Sequence, residues 1–286
     1  MAIKAWITEQ GFEWLGVVFD APRSSVHFAY RPLECDHITI KSCPVAIVEN
    51  QQQREDAVAR RLAAAGGHPN VVRFHGAYES GALLHQLLEY CHAGDLFTIL
   101  MQSPNQRFSQ QRAWTYFVQI ARAIKFLHDC DIAHRDVSLE NVLLSDDGQC
   151  KLCDFGLSST TTQRSNERVG KLIYMAPEVL AGDSYDPVKA DVWSLGVVLF
   201  IMLTGAAPVS EASAVCPAFR ILCTHGCRIL ESWRMLDVCS TSMQLLLSRL
   251  LQPDPALRLD SMDAILQKVR WMSRCRREPS VSSFSG

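Results

Sequence analysis

Up to residue 89 the chain runs in short stretches of aromatic and β-branched residues; from Gly94 onward its apolar residues recur every three or four positions. A period of two belongs to half-buried strands and a period near 3.6 to helices. A chain patterned this way builds a sheet first and a helical body second. Phe12 to Phe19, Ser25 to Tyr30 and Asp36 to Lys41 read as strands, the first two parted by the turn-forming Asp20-Ala21-Pro22-Arg23. Glu49 to Ala65 has helix composition and stops at Gly66-Gly67, and Val71 to Tyr78 and Ala82 to Glu89 supply two more strands. On the helical side, Gln110 to His128 lines up Trp114, Phe117, Val118, Ala121, Ile124 and Leu127 on one face. Val192 to Leu203 is apolar all round and belongs in a core. Met243 to Leu251 and Ser261 to Trp271 add further helices, and the Ser-rich end, 276–286, has too little apolar surface to order itself. The class is α+β, with the joint between the two parts near Glu89 to Asp95.

The 286 residues are 48% hydrophobic and 20% charged with a net charge of −2, which gives no reason to expect nucleic acid or an anionic membrane as partner. No uninterrupted run of 18 apolar residues occurs, so no membrane-spanning helix is expected. Met1 to Gln10 carries Lys4 and Glu9 without the apolar core of a secretory leader. The 11 cysteines are odd in number and scattered through apolar runs, as at Cys216, Cys223, Cys227 and Cys239. That suits reduced thiols in the cytoplasm or nucleus. Cys150 and Cys153 have C-x-x-C spacing with no second pair at a zinc-binding distance, and read as strand packing.

Four polar motifs follow in order: His134-Arg135-Asp136 with Asn141 beyond it, Asp154-Phe155-Gly156, Ala176-Pro177-Glu178, and Asp191-Val192-Trp193 opening the apolar helix. Together they resemble the protein kinase family, from about Gly16 to Trp271. The resemblance implies a two-lobe fold, with residues 1–88 as the sheet lobe and 89–275 as the hinge and helical lobe. It implies ATP and Mg²⁺ as cosubstrates and protein side chains as acceptors. It makes Asp136 the catalytic base or the residue that positions the acceptor, and Asn141 and Asp154 the Mg²⁺ ligands. Arg135 is expected to meet an anion in the activation segment, Phe155 to pack under the small-lobe helix, and Glu178 to pair with Arg258. Leu88 takes the gatekeeper position, Glu89 and Cys91 offer backbone groups to adenine, Asp95 faces the ribose, and Leu143 presses on the base.

The small lobe departs from the family pattern. Only Gly16 stands where three glycines are usual before Val26, which removes close backbone approach to the phosphates, although Arg23 offers charge. Two segments compete for the lysine strand. Val45-Ala46-Ile47-Val48 looks like the motif with its lysine lost, while Ile38-Thr39-Ile40-Lys41 keeps one at the usual separation from Val26 and His68. Lys41 is the choice. Its helix partner is Glu55, or Ala59 fills that slot and the ion pair is absent. The resemblance therefore implies a Ser/Thr kinase, with a pseudokinase scaffold as the alternative. Glu140 and Tyr174 stand where tyrosine kinases carry Arg and Trp. Asp95 and Glu140 match positions that meet basic residues upstream of the phosphosite. Glu167 occupies a common phosphosite position. Ser138 stands where a lysine is usual and Lys171 where a threonine is usual, an exchange that makes Lys171 a candidate catalytic cation.

Overall fold

A computed structural model describes residues 2–21, 24–45, 51–226 and 239–275. Arg23, the segment 46–48, Cys227 and the tail 276–286 lie outside them. The small lobe opens with a helix, α1 (Ala2–Glu9), followed by β1 (Glu13–Ala21), β2 (Ser24–Arg31), β3 (Asp36–Pro44), α2 (Gln51–Ala64), β4 (Phe74–Ser80) and β5 (Leu83–Glu89). The five strands form one antiparallel sheet in the order β1-β2-β3-β5-β4. Two expected boundaries move. Asp20 and Ala21 belong to β1 rather than to a turn, and β4 starts at Phe74 because Val71 instead bridges to Leu152 in the large lobe.

Strand alternation decides which side chains reach which face. Ile38 and Ile40 of β3, with Ala29 and Leu87, pack under Trp6 and Ile7 of α1. Thr39 and Lys41 therefore turn to the other face, toward α2. The sequence reading weighed residues 1–10 only as a leader and missed α1. Its signal was Ile3, Trp6 and Ile7 at helical spacing.

The large lobe contains α3 (Leu96–Gln102), α4 (Gln110–Asp129), the hairpin β6 (Val142–Leu144) and β7 (Cys150–Leu152), α5 (Pro177–Ala181), α6 (Pro187–Thr204), α7 (Pro217–His225), α8 (Thr241–Leu250) and α9 (Met262–Cys275). The side chain of Asp186 caps α6 by accepting from Val188 N at 2.9 Å, Pro187 starts it, and Gly205 ends it in the left-handed region. By length and composition α6 could cross a bilayer, but 83% of it is buried inside the protein. It is the core helix around which the lobe packs. On α4, Tyr116 and Ile120 are buried more deeply than Trp114 and Val118, because both α6 and α9 pack against the helix. Each large side chain buried there contributes about 1.5–3 kcal/mol, more than helix propensity can.

Candidate active site

The catalytic loop hangs from a buried carboxylate. Asp191, in α6, is fully buried; its Oδ1 accepts Arg135 N at 2.8 Å and its Oδ2 accepts His134 N at 2.9 Å and His128 Nε2 at 2.8 Å. These bonds hold Arg135 in the left-handed region, φ 65°, a conformation rare outside glycine. Burial pushes the Asp191 carboxyl toward the neutral form, but the His128 bond and the backbone donors outweigh it and keep it ionised. His134 continues the scaffold: Nδ1 accepts Asp136 N at 3.2 Å, Nε2 donates to Cys153 O at 3.0 Å, and its ring meets Phe155 edge-on. One imidazole thus ties the Asp136 loop to the turn that carries Asp154.

Two polar clusters result. In the first, Lys41 Nζ lies 2.7 Å from Glu55 Oε1, 2.8 Å from Glu55 Oε2 and 3.6 Å from Asp154 Oδ1. Burial disfavours the lysine charge, and the two carboxylates overcome it, so the ammonium titrates above the ordinary lysine range. Asp154 sits at φ 65°; burial pushes its carboxyl up, and Lys41 with His134 pulls it below its usual value. In the second cluster, Asn141 Nδ2 donates to Asp136 O and Asp136 Oδ2, both at 2.8 Å. Lys171 N donates to Asp136 Oδ1 at 3.1 Å, and Lys171 Nζ reaches Ser138 Oγ at 2.7 Å and both Asp136 Oδ2 and Asn141 Oδ1 at 3.2 Å.

The protein kinase domain family model matches residues 22–272. The chain belongs to the protein kinase domain family. Similar proteins include CBL-interacting protein kinase 4 of Oryza sativa subsp. japonica, 34% identical over 226 residues, covering 77% of this chain and 47% of the relative. CBL-interacting protein kinase 30 of the same organism is 35% identical over 247 residues, covering 82% and 49%. Serine/threonine-protein kinase kin-29 of Caenorhabditis briggsae is 40% identical over 148 residues, covering 51% of this chain and 18% of the relative. This kinase domain spans about half the length of the rice relatives.

Among the candidates for the nucleotide, Glu89 closes β5 with its carboxylate paired to Lys151 Nζ at 2.7 Å and accepting Arg73 N at 3.1 Å. Cys91 follows, buried, its thiol pushed up to about 12 chiefly by that burial. Asp95 caps α3: Oδ1 accepts Thr98 N and Oδ2 accepts Thr98 Oγ1, each at 2.8 Å. Leu143, half-buried in β6, bridges to Asp95, so these two candidates are neighbours. Val26 pairs with Lys41 across β2 and β3. Gly16 pairs with Phe28 in β1, with open space where a side chain would project. Phe155 is buried in the same core as Leu62 of α2, and Ala59 lies one turn beyond Glu55 without displacing it.

Arg258 meets Glu178 through two parallel bonds of 2.6 and 2.9 Å. Arg135 Nη1 lies 2.7 Å from Glu167 Oε2 and donates to Ser165 Oγ at 2.9 Å, and its Nε donates to Leu157 O at 2.6 Å. That pairing holds the Glu167 carboxyl below its ordinary range. Sequence reasoning passed over the scaffold roles of Asp191 and His134. The signal for Asp191 was a lone carboxylate entering an otherwise apolar helix, since a buried charge needs partners.

Proposed function

We propose that this kinase domain transfers the γ-phosphoryl group of ATP to serine or threonine of proteins, with residues 1–88 and 89–275 as its lobes. The observation that carries this reading is the Lys41 ammonium held between Glu55 and Asp154. It supports a cation for the triphosphate on the sheet even though the glycines before Val26 are missing. A scaffold without catalysis has no need of that alignment beside the hydrogen-bonded Asp136, Asn141 and Lys171 cluster. Asp154 and Asn141 offer a carboxylate and an amide oxygen, the donors that Mg²⁺ takes alongside phosphate oxygens, so the donor set fits the ion that travels with ATP. Bound there, Mg²⁺ would neutralise phosphate charge. Asp136 orients the acceptor hydroxyl and receives its proton as the new P–O bond forms. The Glu89–Cys91 backbone and Leu143 take the adenine.

Glu140 and Tyr174 at the positions that distinguish tyrosine kinases support Ser/Thr acceptors. Glu140 also stands at a position that in similar kinases meets basic residues, which supports acceptors with such residues upstream. Asp95 contributes less to that preference, because Thr98 engages both of its oxygens. The described cysteines are all free, which supports a reducing compartment, cytoplasmic or nuclear. The test is incubation with γ-labelled ATP and serine or threonine peptides, with and without upstream arginine, beside Asp136→Asn. Label transfer by the parent and none by Asp136→Asn is the expected result; equal signals from both contradict it.

A further inference from the structure

Lys171 does not behave as a surface lysine. It follows Gly170, whose φ is 98° and where an added Cβ would come within 2.7 Å of Arg135 O. The activation segment therefore passes directly against the catalytic loop and hands its next residue into the site. There the Lys171 ammonium meets Ser138 Oγ, Asp136 Oδ2 and Asn141 Oδ1 within 3.2 Å. Ser138 is fully buried. Lys171 keeps 37% side-chain exposure, so its cation stays within reach of an incoming phosphoryl group. A cation placed among the base and the amide oxygen that would hold Mg²⁺ stands where negative charge moves during transfer.

The segment bearing this lysine has a second anchor. Glu167, three residues before Gly170, is held to Arg135 at 2.7 Å. Arg54 of α2 also approaches Glu167, at 3.9 Å. Arg135 is 5% exposed and belongs to the same loop as Asp136. The ends of the short stretch 167–171 are thus tied to one loop, by an ion pair at Glu167 and by the side chain at Lys171.

We propose that Lys171, carried by the activation segment, is the cation that stabilises the transferring phosphoryl group, and that Glu167 is the positioning residue that keeps it there without phosphorylation. The catalytic loop of this chain supplies a hydroxyl, Ser138, where the segment supplies the charge. No extra reactant enters: the acceptor oxygen bonds phosphorus, the bond to the ADP oxygen breaks, and the acceptor proton passes to Asp136. Lys171 stays protonated throughout. The proposal rests on the phosphotransfer reading above.

The experiment is steady-state kinetics on unphosphorylated protein, with melting curves for every variant. Lys171→Ala should lower kcat by about 10²-fold. Its KM for ATP should stay within about twofold, as for a contact made mainly in the transition state. Lys171→Met, which preserves length, replaces it if the alanine variant does not fold. Ser138→Lys combined with Lys171→Thr should recover at least about tenfold over Lys171→Thr alone, since the charge returns from the other loop. Glu167→Ala should lower kcat in the parent and change little in that double variant, where the segment no longer carries the cation. A merely structural Glu167 would cost the same in both backgrounds. Turnover of Lys171→Ala or Lys171→Met within about threefold of an active parent overturns this proposal alone. A parent no more active than Asp136→Asn overturns the phosphotransfer reading and this proposal with it.

Discussion

Single ion pairs in this molecule differ in weight according to how completely water is excluded from them. The Arg258 side chain has no exposed surface, and besides Glu178 it donates to Lys189 O at 2.8 Å and Gln252 O at 2.9 Å, with its guanidinium over the Trp193 ring. Truncating one partner leaves the other charge buried and alone. Glu178→Ala is therefore expected to destabilise the fold by about 3–5 kcal/mol, read from chemical denaturation. An equal loss from Lys125→Ala, which removes pairs to Asp129 and Asp263 that solvent reaches, would contradict this weighting. Lys41 lies between these extremes. Its pair with Glu55 ties β3 to α2, and its further contact with Asp154 links the sheet lobe to the turn before Phe155.

Among the elements, α1 covers what would otherwise be an open sheet face. Trp6 and Ile7 bury against Ala29, Ile38, Ile40 and Leu87, and Trp6 stacks on His85 with ring centroids 3.8 Å apart. Removing residues 2–9 forfeits the burial of these two side chains, about 3–6 kcal/mol, and should lower the melting temperature accordingly. His85 gives this loss a pH signature. Burial, with the nearby His27, pushes its imidazole down to about 4 from an ordinary 6.5, while Ser42 Oγ bonds its Nδ1. A histidine depressed in the folded state adds stability that is fully present above its unfolded value of about 6.5 and is lost as pH falls toward 4. Without Trp6 the ring is hydrated, so the truncated protein should lose less stability on acidification from neutrality to pH near 5. An identical pH slope in both proteins would contradict that account.

The same helix marks the limit of what the sequence disclosed. The strands, the long helices and the Asp136, Asn141 and Asp154 order were legible because periodicity and spaced polar motifs are local signals. α1 was not, because a single turn and a half of apolar residues near a terminus fits a leader or a loop equally well. The Lys41–Glu55 pairing was legible only as a choice between Glu55 and Ala59, since the rotation of α2 against the sheet is set by tertiary packing.

At the scale of the whole molecule, specific ties among the described residues join the two lobes. Leu152 of β7 bridges Val71 and its carbonyl accepts Val72 N, Asn70 Nδ2 donates to Cys150 O at 3.0 Å, and Lys41 contacts Asp154 itself. Cys91 is buried just beyond β5, and Cys153, whose Sγ donates to Asn141 O at 3.4 Å, lines a small cleft with Glu55, Asp154 and Phe155. Burial raises both thiols, Cys91 to about 12, and neighbouring carboxylates reinforce the shift. An electrophile meets a cysteine as thiolate, and a thiol at about 12 presents roughly three-thousandfold less of it near neutrality than one at about 8.5. Iodoacetamide at near-neutral pH, mapped by mass spectrometry, should therefore alkylate exposed Cys35 and leave Cys91 and Cys153 unmodified until the protein is denatured. Native Cys153 labelled as fast as Cys35 would contradict this. A covalent inhibitor built for this cleft would gain its grip from contacts rather than from the reactivity of its sulfurs.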